Sequence, residues 1–133
     1  MNHQELQDQI HLEASREGIT MWKNNVGAAW QGEMVSANGA KVTLKSGKRL
    51  TLGRAIIIIN PRMEQYGLCV GSSDLVGIVP VDGLGVFGGI EVKTKYDKLR
   101  PGQREFAQRV NNRGGRIIVA RSPADVKRLY NDF

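Results

Sequence analysis

The chain has 133 residues, 41% of them hydrophobic and 24% charged, which suits one globular domain and excludes a disordered or fibrous chain. Nineteen basic residues against thirteen acidic ones leave a net charge of +6, a balance that favours a polyanionic partner. The single cysteine, Cys69, excludes a disulfide framework and a cysteine-rich zinc site. No apolar run approaches membrane-spanning length, and Met1-Asn2-His3-Gln4-Glu5 lacks the regions of a signal peptide, so no membrane association and a cytoplasmic location are expected.

Residues 3–17 read as an amphipathic helix, with Asn2 and Glu5 as a capping pair and Gly18 as its stop. Leu6 and Ile10 set its apolar stripe, and continuing the stripe towards the C-terminus reaches Glu13. Two readings of Glu13 are open: a rim glutamate paired with Arg16, or an acid aimed at a metal. Ile19–Val26 reads as a first strand. Residues 33–52 carry the turn signals Asn38-Gly39 and, weaker, Ser46-Gly47, and are expected to form an inserted hairpin within a single domain spanning 1–133. Its basic residues, Lys45 and Lys48 among them, suit either a solvated face or an arm against a nucleic-acid backbone. The β-branched run Ala55–Ile59 reads as a strand ended by Asn60-Pro61-Arg62, followed by a loop from Met63 to Val70 in which Cys69 is a small core residue.

Leu75–Val79 and Val86–Thr94 read as two strands joined by a turn at Asp82-Gly83. On the second strand Glu91 and Lys93 project to one face, with Ile90 and Val92 on the other. Ionised groups on a buried strand are costly unless paired or holding a metal. Antiparallel register puts the partner of Asp74 at 91 or 92, so its carboxylate neighbours that of Glu91. Two carboxylates, the Val92 carbonyl and an adjacent ammonium suit metal-assisted phosphodiester hydrolysis, with Lys93 orienting the attacking water or offsetting transition-state charge. Lys95–Arg100 is a basic loop containing Lys95, Lys98 and Arg100. A helix then opens at Pro101, carrying Gln103 on the face of Phe106 and Ala107, beside the strand end. Arg116–Ala120 reads as a strand and 123–130 as a last helix, completing an α/β fold with a mixed sheet flanked by helices.

Gly71-Ser72-Ser73-Asp74 followed by Glu91-Val92-Lys93 resembles the active-site pattern of the PD-(D/E)xK nuclease superfamily, with its restriction-endonuclease-like fold. With Glu13, Gln103, Gly114-Gly115 and Ala120-Arg121-Ser122, the chain is similar to the VRR-NUC family, and in particular to its compact stand-alone phage members. The resemblance covers nearly the whole chain, residues 30–60 being the most variable part. It implies a Mg²⁺-dependent DNA endonuclease, Mn²⁺ substituting, with Glu13, Asp74 and Glu91 as the acidic site, Lys93 as the catalytic lysine and Gln103 as the accompanying glutamine. Ser73 stands where the superfamily name has proline. The phage members also resemble homodimeric four-way (Holliday) junction resolvases. That makes branched DNA the expected substrate and Ile56–Ile59, Trp22 and Trp30 either interface or core residues.

Overall fold

A computed structural model describes all residues from Met1 to Phe133. In chain order the elements are α1 (His3–Arg16), β1 (Thr20–Lys23), β2 (Gly27–Ser36), β3 (Lys41–Thr43), β4 (Arg49–Thr51), β5 (Ile56–Tyr66), β6 (Leu75–Val81), β7 (Leu84–Val92), α2 (Pro101–Asn112), β8 (Arg116–Ala120), a 3-10 turn (Pro123–Lys127) and α3 (Arg128–Asn131). They fall into two compact units, one made of Met1–Val26 with Gly67–Phe133 and the other of Gly27–Tyr66. No helix is long and apolar enough to cross a membrane.

The first unit is built on a four-stranded sheet in the order β1-β6-β7-β8. Neighbouring strands run antiparallel except β7 and β8, which are parallel. This is the mixed sheet expected from the chain order, with α2 as the crossover between the parallel pair. Ile90 and Val92 of β7, Ile118 and Ala120 of β8, and Leu75 and Val79 of β6 join Leu6, Ile10 and Ala14 of α1 in one core. Val126 and Leu129 of the C-terminal helical segment complete it. Strand alternation sends Glu91, Lys93 and Ile117 to the opposite face, where α2 lies against β8. The C-terminal segment is a 3-10 turn followed by a single helical turn, rather than the continuous helix expected over 123–130. Asp125 accepts from the N–H groups of both Arg121 and Ser122, tightening its start.

β6 and β7 are joined by the two-residue turn Asp82-Gly83, whose φ angles of +49° and +78° are those a hairpin turn of this length demands. This turn fixes the register at Leu75 opposite Ile90, which sets Asp74 opposite Glu91. Gly77, in mid-strand, allows β1 to approach closely: a Cβ there would overlap the Thr20 carbonyl.

The second unit is larger than the hairpin expected at 33–52, and its pairing differs. The segment Ala28–Gly32 is part of β2, and β2 pairs with β5 rather than across Asn38-Gly39. The weaker Ser46-Gly47 signal is the one that closes a true hairpin, β3 with β4. Asn60-Pro61 does not end β5. Asn60 takes φ +48° in a bulge and the strand continues to Tyr66, replacing the expected loop. Asparagine tolerates that conformation because its short polar side chain reduces the steric cost. The isoleucine run lies on an exposed two-stranded ribbon, with Ile56 67% and Ile59 41% exposed, not in a core.

Candidate functional site

The site is assembled where β6 begins and β7 ends. Because β6 starts at Leu75, the main chain of Val92 has no strand partner on that side and is capped by side chains instead. The Asp74 carboxylate accepts from the Val92 N–H at 2.8 Å. The His3 imidazole, at the start of α1, lies 3.0 Å from the Val92 carbonyl oxygen and 3.7 Å from Asp74 Oδ2. Asp74 is itself held by the loop before it. Asn24 donates through its side-chain amide to Ser72 Oγ and the Ser73 carbonyl, and its backbone N–H donates to the Asp74 carbonyl. Ser73 is buried against Gly89, where a Cβ would crowd it.

Glu91 and Lys93 are both buried, yet neither is unpaired. Gln103 Nε2 donates to Glu91 Oε1 at 2.8 Å, and Lys93 Nζ lies 3.9 Å from that oxygen and 3.8 Å from Asp97 Oδ2. Gln103 reaches Glu91 because α2 begins beside the loop that carries Asp74. Gly71, at φ +88°, abuts Gly102 so closely that a Cβ would collide with its carbonyl. The same Gln103 accepts from the Arg100 N–H through its other amide atom, which locks its orientation. Burial and then the neighbouring Asp74 carboxylate push the Glu91 carboxyl up to about 8, with Lys93 pulling the other way.

Of the acidic and catalytic residues expected, Asp74, Glu91, Val92, Lys93 and Gln103 are therefore brought together, and Glu13 is not. His3 is the α1 residue at the strand end, and ten residues of helix carry Glu13 about 15 Å further along the axis. There it is paired with Arg16 at 3.3 Å, the simpler of its two readings. The Leu6–Ile10 stripe does point to the site when followed the other way, since one turn towards the N-terminus is His3. Asn24 was likewise missed, and its signal is an amide placed directly after β1, opposite the loop before Asp74. Cys69 is exposed and free, not a core residue. Among histidine, cysteine and acidic side chains, no three converge at metal-ligand spacing. The oxygen donors at the strand end are the two carboxylates and the Val92 carbonyl.

Lys95, Lys98 and Arg100 are exposed on the loop between β7 and α2, with Lys95 Nζ 5.4 Å from the centroid of the Tyr96 ring. Arg121 braces that loop by donating to the Thr94 carbonyl. Lys45 and Lys48 are exposed in the β3–β4 turn of the second unit.

A family model for the VRR-NUC domain matches residues 4–124. The chain belongs to the VRR-NUC family. Neither the curated proteins nor the solved structures gave a significant match. Membership makes the chain a nuclease of the PD-(D/E)xK type, acting on DNA. The matched segment contains Asp74 and Glu91-Val92-Lys93, and stops one residue short of His3.

Proposed function

We propose that this nuclease is a divalent-metal-dependent, structure-selective DNA endonuclease that acts as a homodimer on four-way junctions. The observation that carries the reading is the convergence of Asp74, Glu91, Lys93 and Gln103 at one strand end. The donor set suits Mg²⁺, with Mn²⁺ as substitute. Its oxygen donors are Asp74, Glu91 and the Val92 carbonyl, and Mg²⁺ is satisfied by one or two carboxylates plus waters. Burial and then repulsion from Asp74 raise the Glu91 carboxyl, and a dication held by the two carboxylates would relieve that repulsion. When bound, such an ion supplies an activated water and charge stabilisation on the phosphate.

The chain's own residues divide the remaining work. Asp74, just before β6, and Glu91, on β7, present their carboxylates side by side in a register set by the two-residue turn. Gln103 holds Glu91 in one orientation, and Arg100 in turn holds Gln103. The Lys93 ammonium lies where it offsets negative charge gathering on a phosphate or orients a water. Lys95, Lys98 and Arg100 follow directly in sequence and serve as phosphate contacts, as do Lys45 and Lys48 on the second unit.

The dimer reading is supported by the β2–β5 ribbon. Paired residues share a face, so Trp30 with Met63 and Met34 with Ile58 line one side, with Ser36 and Ile56 beyond them. Trp30 is 56% exposed, Met34 71% and Met63 51%; the paired residues on this side are uncharged, with Arg54 at its edge beside Met34 and Ile56. A lone two-stranded ribbon is marginal in water, and a largely apolar face is where two copies of a basic protein can meet with little repulsion. A two-fold dimer supplies two sites for paired cuts in a symmetric junction.

The test is a cleavage panel with Mg²⁺ or Mn²⁺ on four-way junction, flap, fork, nicked and linear duplex DNA, alongside the mass in solution. Paired junction cuts by a dimer support the reading. A strict monomer cutting flaps, nicks or ends would replace it with a monomeric nuclease. DNA binding with no metal-dependent cleavage of any substrate would leave only a binding module.

A further inference from the structure

We infer that His3 is a ligand of the divalent cation, giving the site one nitrogen donor beside Asp74 and the Val92 carbonyl. This rests on reading Asp74 and Val92 as cation ligands. His3 Nε2 is 3.0 Å from the Val92 oxygen, and neighbouring ligands of an octahedral ion with bonds of 2.0–2.1 Å stand about 3 Å apart. Asp74 Oδ2 lies 3.7 Å from the same nitrogen and, while accepting from the Val92 N–H, keeps a further lone pair for an ion. These three atoms come from α1, from the loop before β6 and from the end of β7, so they approach a common point from different directions. The Val92 carbonyl also has a second lone pair free for an ion.

The imidazole has the freedom the role needs. Its side chain is 45% exposed at the rim, while α1 is anchored by Leu6 and Ile10 in the core and by the Asn2–Glu5 capping box. As it stands, Nε2–H donates to the Val92 carbonyl. With the proton on Nδ1 the same nitrogen presents a lone pair to an ion. His3 stands where Glu13 was expected to act, at the other end of the same helix stripe. An imidazole among oxygen donors shifts preference from Mg²⁺ towards transition-metal ions.

The experiment measures Mn²⁺ and Mg²⁺ binding to the full chain by calorimetry, for wild type, His3→Ala, His3→Gln and Asp74→Asn. The pulsed-EPR spectrum of bound Mn²⁺ is recorded beside each. Expected are a loss of Mn²⁺ affinity of about tenfold or more in both His3 variants, a smaller loss for Mg²⁺, and a ¹⁴N coupling in wild type that both variants lack. His3→Gln is the discriminating variant, because it can still donate to the Val92 carbonyl but has no imidazole. Recovery of wild-type affinity by His3→Gln would mean that His3 only caps the strand edge, overturning the inference. So would unchanged affinity in both His3 variants while Asp74→Asn loses the ion. Absence of Mn²⁺ binding in wild type would instead sink the metal reading of the site, and this inference with it.

Discussion

Raising the pH on the metal-free protein should destabilise it, and Glu91 should be the main cause. Its carboxyl is pushed from 4.5 to about 8 in the folded chain. Between those values the folded state holds a proton that the unfolded state has released, so stability falls as pH rises through the window and the loss is complete above about 8. The full shift would be worth at most about 5 kcal/mol. Relaxation of the surroundings around the ionised carboxylate lowers the cost, so a loss on the order of 2 kcal/mol is the working figure. For a chain of this size that is roughly 6–10 °C in Tm. Glu91→Gln keeps the volume and an acceptor for Gln103, and Lys93 retains Asp97 at 3.8 Å. The assay is thermal unfolding in EDTA from pH 4.5 to 8.5 for both proteins, followed by Mg²⁺ addition at pH 8. Wild type should lose stability relative to Glu91→Gln as pH rises, and Mg²⁺ should recover more of it in wild type. Parallel curves for the two proteins would refute the account of Glu91.

Gln103→Leu removes the amide that orients Glu91 and should slow cleavage about 10–100-fold, with little change in DNA affinity measured by fluorescence anisotropy. Glu13→Ala, at the far end of α1, should cleave within about twofold of wild type, because it loses only an exposed ion pair with Arg16 worth under about 1 kcal/mol. Met34→Glu combined with Ile56→Glu places charge that a dimer would bury on the apolar ribbon face and should shift the mass measured by light scattering from dimer to monomer, with paired junction cuts replaced by single nicks.

Most of the first unit was legible because its signals are local. The Asn2–Glu5 capping pair, the Asp82-Gly83 turn and the alternation around Glu91 each depend on residues close in sequence, and the turn then carries Asp74 to Glu91 by register alone. Glu13 failed because a helix stripe has two directions and periodicity does not say which end meets the sheet. That depends on the antiparallel entry of β1 beside Asp74, a long-range pairing. The second unit failed for a similar reason. Asn38-Gly39 is a strong turn signal, but whether β2 then pairs with β3 or with distant β5 is decided by partners twenty or more residues away. The Asn60 bulge also hides strand continuity behind residues that usually break it. Exposure of the isoleucine run was illegible too, since β-branched runs read as buried strands whether or not anything covers them.

The central claim, that the strand end holding Asp74, Glu91 and Lys93 hydrolyses DNA, is tested most directly by single-turnover cleavage of a four-way junction in Mg²⁺ by wild type and Lys93→Ala. The two proteins should be matched for fold by circular dichroism and for junction affinity. The account predicts cleavage by wild type and a loss of at least about a hundredfold in the variant. Cleavage by Lys93→Ala at the wild-type rate would contradict it.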